Sequence, residues 1–230
     1  MTTATGPLEM KSNIRFIDVF ADENKKEGWS ARAMKHPFFA WAGMRAPIAQ
    51  HTLAEHQTLE KYARGSSSTV EIGVAEGASA VALRQAMNPE GTLYLIDPFH
   101  LSRVRPLNFL RRAARRAVNE GPGARTVWVE EFSEKAVSEW KTPIDFLLID
   151  GDHREEAVER DWNEWHPHVT ENGFVAFHDA RIFPRGWTSA GYGPVRFIER
   201  HFRHGSPEPW RIVEEVDSLV IVSQRKNPSA

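Results

Sequence analysis

Short apolar runs that alternate with amphipathic stretches constrain the fold of this chain more than any other feature. Most of the runs are nearly continuous in apolar residues, as is typical of parallel strands covered on both faces; they read TVEIGV, GTLYLID, RTVWVE, IDFLLID and GFVAFHD. Between them lie helical patterns, near residues 78–87, 104–119, 133–140, 155–165 and 194–202. This rhythm of successive βαβ units predicts an α/β fold with a doubly wound, Rossmann-like, mostly parallel sheet.

The two ends of the chain depart from this rhythm. Near the C-terminus, WRIVEEV and LVIVSQR are separated by Asp217 and Ser218, which predicts an antiparallel hairpin that closes the sheet. Residues 1–62 lack the alternation and are predicted to form a helical cap, with a helix at 49–63, on a domain of residues 63–230. The stretch HPFFAWAGM in this cap is expected to pack on the core, line a pocket or form the contact of a homo-oligomer.

Composition excludes several classes of partner and chemistry. Lysine and arginine total 29 against 31 acidic residues, so the net charge of -2 attracts neither nucleic acid nor an anionic membrane. The arginines of RVRPLNFLRRAARR are read as the solvated face of an amphipathic helix, and a nucleic-acid partner is not expected. The chain has no cysteine, no secretory start and no apolar segment of bilayer length. We therefore expect a soluble cytoplasmic protein.

The segment TVEIGVAEGAS predicts a ligand site at the end of the first strand of the main domain. Gly73 and Gly77 lie where an open α/β sheet binds ligands, but the GxGxxG spacing of a pyrophosphate turn is missing. The carboxylates of Glu71 and Glu76 disfavour a diphosphate and favour a ligand with ammonium and sulfonium groups, such as S-adenosylmethionine. Asp97 ends the next strand, where a carboxylate can accept hydrogen bonds from ribose hydroxyls. The alternative is that these residues only turn the chain and cap helices.

Three segments together resemble the class I S-adenosylmethionine-dependent methyltransferases: VEIGVAEGASAVAL, LYLIDPF and IDFLLIDGDHREEAVERDWNEWHPHVTENGFVAFHD. The resemblance covers about Thr69 to Ser223, and it is greatest to small-molecule O-methyltransferases similar to macrocin O-methyltransferase, more distantly catechol O-methyltransferase. It implies a cofactor site lined by Glu71, Gly73, Gly77 and Asp97. It also implies that the loop after the third strand of the domain contacts adenine through Glu131, Phe132 or Ser133. We count Glu76 and Asp150 with the cofactor-binding residues.

Acidic residues and histidines follow two neighbouring strands at the same edge of the predicted sheet. Asp150, Asp152 and His153 come directly after IDFLLI, and His178 and Asp179 come after GFVAF. Mg²⁺ prefers oxygen ligands, so Asp150 and Asp179 are the metal-ligand candidates. Asp152 or His153 is the candidate catalytic base. In the resembling enzymes the first aspartate of the DxD pattern is a metal ligand and the second a base, and several carry two acidic residues where this chain has His178 and Asp179. His178 is therefore a third ligand, a second base or a hydrogen-bond partner.

The predicted activity is methyl transfer from S-adenosylmethionine to a hydroxyl of a small molecule, a sugar or an aromatic secondary metabolite, with Mg²⁺. Other functions also fit the residues: a metal-free O- or N-methyltransferase with Asp152 or His153 as base, a nicotinamide oxidoreductase, and a non-catalytic nucleoside-binding module. The glycine-punctuated loop at 181–193 carries Trp187 and Tyr192. It is either a lid over the acceptor or an ordinary surface connection.

Overall fold

The computed structural model describes residues 17–18, 36–99, 108–184, 186–204 and 209–224. The strands are β1 (Ile17–Asp18), β2 (Ile48–Ala49), β3 (Ser68–Ile72), β4 (Thr92–Ile96), β5 (Arg125–Val129), β6 (Ile144–Ile149), β7 (Val169–Phe177), β8 (Arg211–Val216) and β9 (Leu219–Ser223). The helices are α1 (36–41), α2 (Leu53–Ala63), α3 (Ala78–Ala86), α4 (Phe109–Asn119), α5 (Ser133–Val137), α6 (Glu155–Trp165) and α7 (Gly193–Ile198). A 3₁₀ turn, His166–His168, follows α6, and a π-helical turn, Glu199–Arg203, follows α7.

Seven of the strands form one sheet in the order β5-β4-β3-β6-β7-β9-β8. Strands β3 to β7 pair in parallel, whereas β9 runs antiparallel to both β7 and β8. The predicted doubly wound sheet and its closing hairpin are therefore confirmed. Because the chain leaves β3 toward β4 and returns to β6 on the other side, the strand order reverses at β3. A ligand crevice is expected beside its carboxyl end.

The core consists of two apolar layers, one on each face of the sheet. Successive side chains of β6 point to opposite faces: Phe146 and Leu148 lie in the layer under α2, α3 and α4, and Leu147 and Ile149 lie in the layer under α6 and α7. This two-sided burial explains why the strand reads as a continuous apolar run.

The start of α2 corrects the sequence prediction, which began this helix at Ala49. The helix begins at Leu53, because Thr52 caps it: the backbone N–H of Glu55 donates to Oγ1 of Thr52 at 3.1 Å, and the N–H of Thr52 donates to Oε2 of Glu55 at 2.7 Å. Ala49 instead lies in β2, which pairs in parallel with β1. The boundary predicted between residues 62 and 63 falls inside this helix.

Other helix ends also differ from the predictions. Helix α4 begins at Phe109 because Asn108 caps it, with the N–H of Arg111 donating to Oδ1 of Asn108 at 3.1 Å; the predicted residues 104–107 lie outside the described residues. Helix α5 ends at Val137, three residues before the predicted end at Trp140. Such ends depend on capping contacts, which apolar periodicity does not report.

The arginines of α4 attach the 36–44 segment to the domain. The guanidinium of Arg112 lies 5.1 Å from the ring centroid of Trp41, and Nη1 of Arg116 donates to the backbone oxygen of Trp41 at 2.9 Å. The Trp41 ring also packs on Phe109, at a centroid distance of 5.5 Å. In the described part of the basic run, these arginines therefore contact groups of the protein itself.

None of the helices that the structure describes is both long enough and apolar enough to cross a membrane.

Candidate active site

The turn after β3 requires glycine at two positions. Gly73 has φ +87°, and a Cβ there would lie 2.2 Å from the backbone oxygen of Asp150. Gly77 has φ +86°, and a Cβ there would lie 2.9 Å from Cγ2 of Val118. Only glycine combines this left-handed backbone with such close approach. The turn therefore exposes bare backbone at the carboxyl edge of the sheet, and it brings the ends of β3 and β6 together.

Asp97 connects the end of β4 to this glycine turn. Its Oδ2 accepts hydrogen bonds from the N–H groups of Val74, at 3.0 Å, and Ala75, at 3.4 Å. Its Oδ1 accepts one from the N–H of Phe99 at 2.7 Å. A carboxylate oxygen has more than one lone pair, so these backbone contacts leave acceptor capacity for a ligand. Asp97 thus shapes the turn, and its side chain is half-buried at the carboxyl end of β4.

Glu71, inside β3, is completely buried. The hydroxyl of Ser79 donates to its Oε1, and its Oε2 has no hydrogen-bond partner among the described residues. Burial raises the pKa of Glu71 well above its usual range, and the nearby Asp150 and Asp97 raise it further. The prediction that Glu71 adds a negative charge to the cofactor site is not supported by this environment, which favours the neutral, hydrogen-bonding form of the carboxyl group.

Glu76 binds the N-terminal cap. Its two carboxylate oxygens lie 3.0 and 3.1 Å from Nδ1 of His36, and Oε2 accepts a hydrogen bond from the N–H of Ile48 at 2.9 Å. The side chains of Glu76 and His36 are both buried. The sequence predicted a cofactor contact for Glu76, whereas in this structure the carboxylate joins the glycine turn to the segment before α2.

The predicted adenine loop follows β5. The side chain of Phe132 is 52% exposed. Ser133 is buried, and its hydroxyl donates to Oδ1 of Asp161 on α6. Burial raises the pKa of Asp161 to about 6. Ser133 therefore has a structural partner in this arrangement, and Phe132 is the more accessible of the two.

The ends of β6 and β7 bring together the two acidic clusters that the sequence predicted there. Nδ1 of His178 lies 3.1 Å from Oδ1 of Asp150 and 3.8 Å from Oδ1 of Asp179. Asp179 has φ +53°, an uncommon backbone for a residue other than glycine. Burial would raise the pKa of Asp150, but attraction to the nearby histidines, above all to the positive charge of His178, outweighs it and lowers the pKa.

Over the described residues, one group of three side chains offers donor atoms close enough to share a metal ion: Asp150, His153 and Asp179, whose atoms lie within 4.8 Å of one another. Nε2 of His153 is 3.6 Å from Oδ1 of Asp150 and 3.6 Å from Oδ2 of Asp179. His178, the third ligand candidate of the sequence prediction, is not in this group. Its two ring nitrogens face Asp150 and Glu55 instead.

Comparison with known protein families matches one region of the chain, and this region includes the carboxyl ends of β3, β4, β6 and β7. Residues 70–180 match the model of a family described as a methyltransferase domain. This matched region, called the methyltransferase domain for its similarity to that family, holds the glycine turn, Asp97 and all three residues of the Asp150, His153 and Asp179 group.

Solved structures share the fold of this methyltransferase domain. A protein from Corynebacterium glutamicum superposes with a TM-score of 0.58 at 16% identity, covering 89% of this chain and 93% of its own. An O-methyltransferase from Bacillus cereus, solved in complex with S-adenosylhomocysteine, gives 0.53 at 15% identity, covering 83% and 90%. The O-methyltransferase TomG from Streptomyces achromogenes, involved in tomaymycin synthesis and solved in complex with S-adenosylmethionine, gives 0.52 at 15% identity, covering 83% and 88%.

Glu55 enters the site from outside the matched methyltransferase domain, and sequence reasoning missed it. It is fully buried, accepts hydrogen bonds from the N–H of Ser218 at 2.7 Å and its hydroxyl at 2.6 Å, and lies 3.6 Å from Nε2 of His178. Burial would raise the pKa of Glu55, but attraction to His178 and the hydrogen bonds from Ser218 outweigh it and lower the pKa to about 2. The TLAE pattern signals a capping box at Thr52 and Glu55, but it does not reveal His178 or Ser218 as partners.

Two further buried histidines were also missed. Nε2 of His51 lies 3.0 Å from Nδ1 of His56, and the rings stack at 5.2 Å. Burial lowers the pKa of His51 to about 3 and that of His56 to about 4, so both are neutral near pH 7. By contrast, Asp150 and other carboxylates outweigh burial and raise the pKa of His178 well above its usual range. His51 and His56 are thus neutral, whereas His178 is charged.

Asp152, a predicted base, stands apart from the three-residue group. Its side chain is 44% exposed and pairs with Arg154, whose Nη2 lies 2.5 Å from Oδ2. Hydrogen bonds from Arg154 lower the pKa of Asp152. The residue that caps α6 is Arg154, so Asp152 is not its N-cap. The carboxylate is therefore partly exposed on the loop between β6 and α6.

The loop after β7 contacts the group through its aromatic residues. The ring of Tyr192 lies 5.2 Å from that of His153, and a Cβ on Gly193 would lie 2.2 Å from the backbone oxygen of His153. Trp187 forms a side-chain hydrogen bond with Asp179. Burial raises the pKa of Tyr192 to about 12. The loop therefore packs against the candidate site of the methyltransferase domain, as either of its predicted roles allows.

Proposed function

We propose that the protein transfers the methyl group of S-adenosylmethionine to a hydroxyl of a small molecule, with a divalent ion at Asp150, His153 and Asp179. The observation that carries this proposal is the position of that group. The turn at Gly73 lies against the backbone of Asp150, so the predicted cofactor turn and the donor group meet at one edge of the sheet.

The cofactor assignment draws on the neighbours and on this chain's own crevice. The Bacillus cereus and Streptomyces achromogenes structures contain S-adenosylhomocysteine and S-adenosylmethionine. Here we assign the ribose hydroxyls to Asp97 and the adenine to the exposed ring of Phe132, beside Ser133. Gly73 and Gly77 supply backbone room, and Glu71, Glu76 and Asp150 complete the cofactor surroundings. A sulfonium ligand is attracted by the ionised carboxylate of Asp150 at this edge.

Methyl transfer needs an aligned acceptor and a place for its proton. The acceptor oxygen attacks the methyl carbon, the carbon–sulfur bond breaks, its electrons return to sulfur as a thioether, and the hydroxyl proton passes to a base. The protein's tasks are therefore alignment, exclusion of water and proton removal. We assign water exclusion and ring contacts to Trp187 and Tyr192. We assign proton removal to Asp152, which is exposed enough to contact an acceptor.

The donor group fits a divalent ion. Nε2 of His153 and Oδ1 of Asp179 are both buried without a hydrogen-bond partner among the described residues. Buried polar atoms normally have partners, so two unpartnered atoms in one group point to a missing one. When bound, a divalent ion polarises the acceptor oxygen and lowers the pKa of the hydroxyl. Mg²⁺ is the ion that the sequence resemblance implied.

A metal-free variant of the same reaction is favoured by the surroundings of His153. Attraction to Asp150 and Asp179 outweighs burial and raises the pKa of His153. Two carboxylates placed this way stabilise an imidazolium, so His153 would take the hydroxyl proton and Asp150 and Asp179 would hold the charged ring. In this second candidate function the acceptor is a hydroxyl or an amine.

Calorimetry followed by turnover tests the proposal. The purified protein should bind S-adenosylhomocysteine and should not bind NAD. It should then transfer label from S-[methyl-³H]adenosylmethionine to members of a panel of phenols, sugars and amines. Loss of turnover in EDTA with recovery on adding Mg²⁺ or Mn²⁺ selects the ion-dependent reaction, and unchanged turnover selects the metal-free one. Binding of NAD without S-adenosylhomocysteine would overturn both.

A further inference from the structure

We propose that His153 is a metal ligand and that it makes this site selective for a first-row transition ion such as Mn²⁺ over Mg²⁺. This inference rests on the proposed function, because it concerns the ion at the same three residues. It differs from the sequence prediction in two respects: the nitrogen donor is His153 and not His178, and the ion is not Mg²⁺.

The spacing of the donors supports one shared ion. Nε2 of His153 lies 3.6 Å from an oxygen of Asp150 and 3.6 Å from an oxygen of Asp179. These separations exceed hydrogen-bond length, so the three atoms do not satisfy one another. Neighbouring donors that share an ion at bonds of about 2.1 Å lie about 3.0 Å apart in an octahedral arrangement and about 3.4 Å apart in a tetrahedral one. The observed distances exceed these values by a few tenths of an ångström, so small side-chain movements would bring the donors to one ion.

The second, independent observation is the unpartnered carboxylate oxygen of Asp179. The side chain of Asp179 is 4% exposed, and its Oδ1 has no hydrogen-bond partner among the described residues. The unusual backbone of Asp179, at φ +53°, holds this side chain at the end of β7. The other oxygen of this carboxylate, Oδ2, lies 3.6 Å from Nε2 of His153, which also lacks a hydrogen-bond partner among the described residues. Unpartnered buried atoms on two neighbouring side chains are what a bound cation would satisfy.

His178 contacts the metal ligand Asp150 and is not itself a ligand. Its Nδ1 is 3.1 Å from Oδ1 of Asp150, and its Nε2 is 3.6 Å from Oε2 of Glu55. Both nitrogens therefore face carboxylates, and neither is directed at a shared ion. Such outer contacts orient metal ligands in many proteins. We infer that Glu55 and His178 hold Asp150 in place, while His153 is held by the ring of Tyr192 at 5.2 Å.

The donor chemistry then selects the ion. Mg²⁺ binds oxygen ligands almost exclusively, whereas imidazole nitrogen suits the first-row transition ions. One imidazole with two carboxylates is a mixed donor set that Mn²⁺ and the later ions accept. A site built from Asp150 and Asp179 with an oxygen donor in place of His153 would lose that preference.

The test uses the full-length protein after chelator treatment and dialysis. Calorimetric titrations with MnCl₂ and with MgCl₂ should show Mn²⁺ binding roughly tenfold or more tightly than Mg²⁺. With Mn²⁺ bound, pulsed electron paramagnetic resonance should detect a directly coordinated ¹⁴N nucleus. The nitrogen signal should disappear in His153→Asp and persist in His178→Gln, and the preference for Mn²⁺ should shrink in His153→Asp. The exposed His204→Gln serves as the matched control and should behave as the wild type.

Binding of the two ions with equal affinity, absence of the nitrogen signal in the wild type, or its survival in His153→Asp would each overturn the inference. Thermal unfolding monitors the fold of each variant, and His153→Asn replaces His153→Asp if the latter does not fold. S-adenosylhomocysteine binding is measured in the same samples. If that cofactor binds and no ion does, this inference fails while the methyltransferase proposal stands; if neither binds, both fail.

Discussion

Oε2 of Glu55 on α2 lies 3.6 Å from Nε2 of His178 at the end of β7, and both side chains are buried. The pair joins a helix that precedes the matched domain to the edge where the donor group is located. Glu55 also accepts two hydrogen bonds from Ser218 in the closing hairpin, so this carboxylate connects three separate parts of the chain.

Replacing Glu55 with Gln should destabilise the protein in a pH-dependent way. The pKa of Glu55 falls from its ordinary 4.5 to about 2 on folding. A lowered carboxyl pKa contributes stability above the unfolded pKa that is lost as the pH falls through the folded pKa. We expect Glu55→Gln to reduce the free energy of unfolding by about 3 kcal/mol at pH 7, and the difference to narrow by about 1 kcal/mol by about pH 3.5. Urea unfolding at a series of pH values measures the loss of unfolding free energy and its change with pH. The exposed Glu139→Gln is the control. A loss of unfolding free energy that does not vary with pH would contradict the lowered pKa of Glu55.

Gly73→Ala should be far more disruptive than Gly65→Ala. Both glycines have similar backbones, with φ +87° and φ +74°, so both substitutions carry the strain of a left-handed alanine, about 1 kcal/mol. Only at Gly73 would the new Cβ meet backbone, 2.2 Å from the oxygen of Asp150; at Gly65 nothing lies within 4 Å. We expect a loss of about 3 kcal/mol or more at Gly73, with weakened S-adenosylhomocysteine binding, measured by chemical unfolding and calorimetry. Equal effects at the two positions would show that β3 and β6 do not approach closely.

Asp97→Asn should weaken binding of S-adenosylhomocysteine by about tenfold or more, because it replaces an oxygen that accepts hydrogen bonds at the predicted ribose position with an amide nitrogen that cannot accept them. Asp145→Asn is a matched control: Oδ2 of Asp145 also accepts two backbone hydrogen bonds, from Ser67 at 2.9 Å and Ser68 at 3.2 Å. Asp145 lies near the amino end of β6, far along the strand from the carboxyl end where the site is predicted. Calorimetry should find cofactor affinity changed only in Asp97→Asn, and unchanged affinity there would remove Asp97 from the cofactor site.

Asp152→Asn should lower kcat by about 100-fold while S-adenosylhomocysteine affinity stays the same, if Asp152 takes the acceptor's proton. The exposed Glu156→Gln, four residues along the chain, is the control and should retain full turnover. The readout is initial rate with the best acceptor of the panel. A normal kcat in Asp152→Asn would transfer the role of base to another group, with His153 as the remaining candidate.

The sheet was predictable from the sequence, whereas the helix ends were only partly so. Strand β6 is buried on both faces by two apolar layers, so its residues leave an unbroken apolar run in the sequence. Helix α2 begins at Leu53 because Thr52 and Glu55 exchange capping hydrogen bonds, although the apolar pattern extends back to Ala49. Apolar periodicity reports which residues face the core, and it is silent about where capping contacts stop a helix.

The sequence also placed Asp150 and Asp179 at one edge of the sheet, since parallel strands end on the same side. It did not show that His153 joins them, that His178 faces Glu55, or that Asp152 pairs with Arg154. These choices depend on separations of about 3 to 4 Å between side chains from distant segments, over which charge interactions and hydrogen bonds change steeply. Local pattern thus determined the architecture and the edge that holds the site. Only the tertiary structure decided which charged groups meet there, because only folding sets the distances between them.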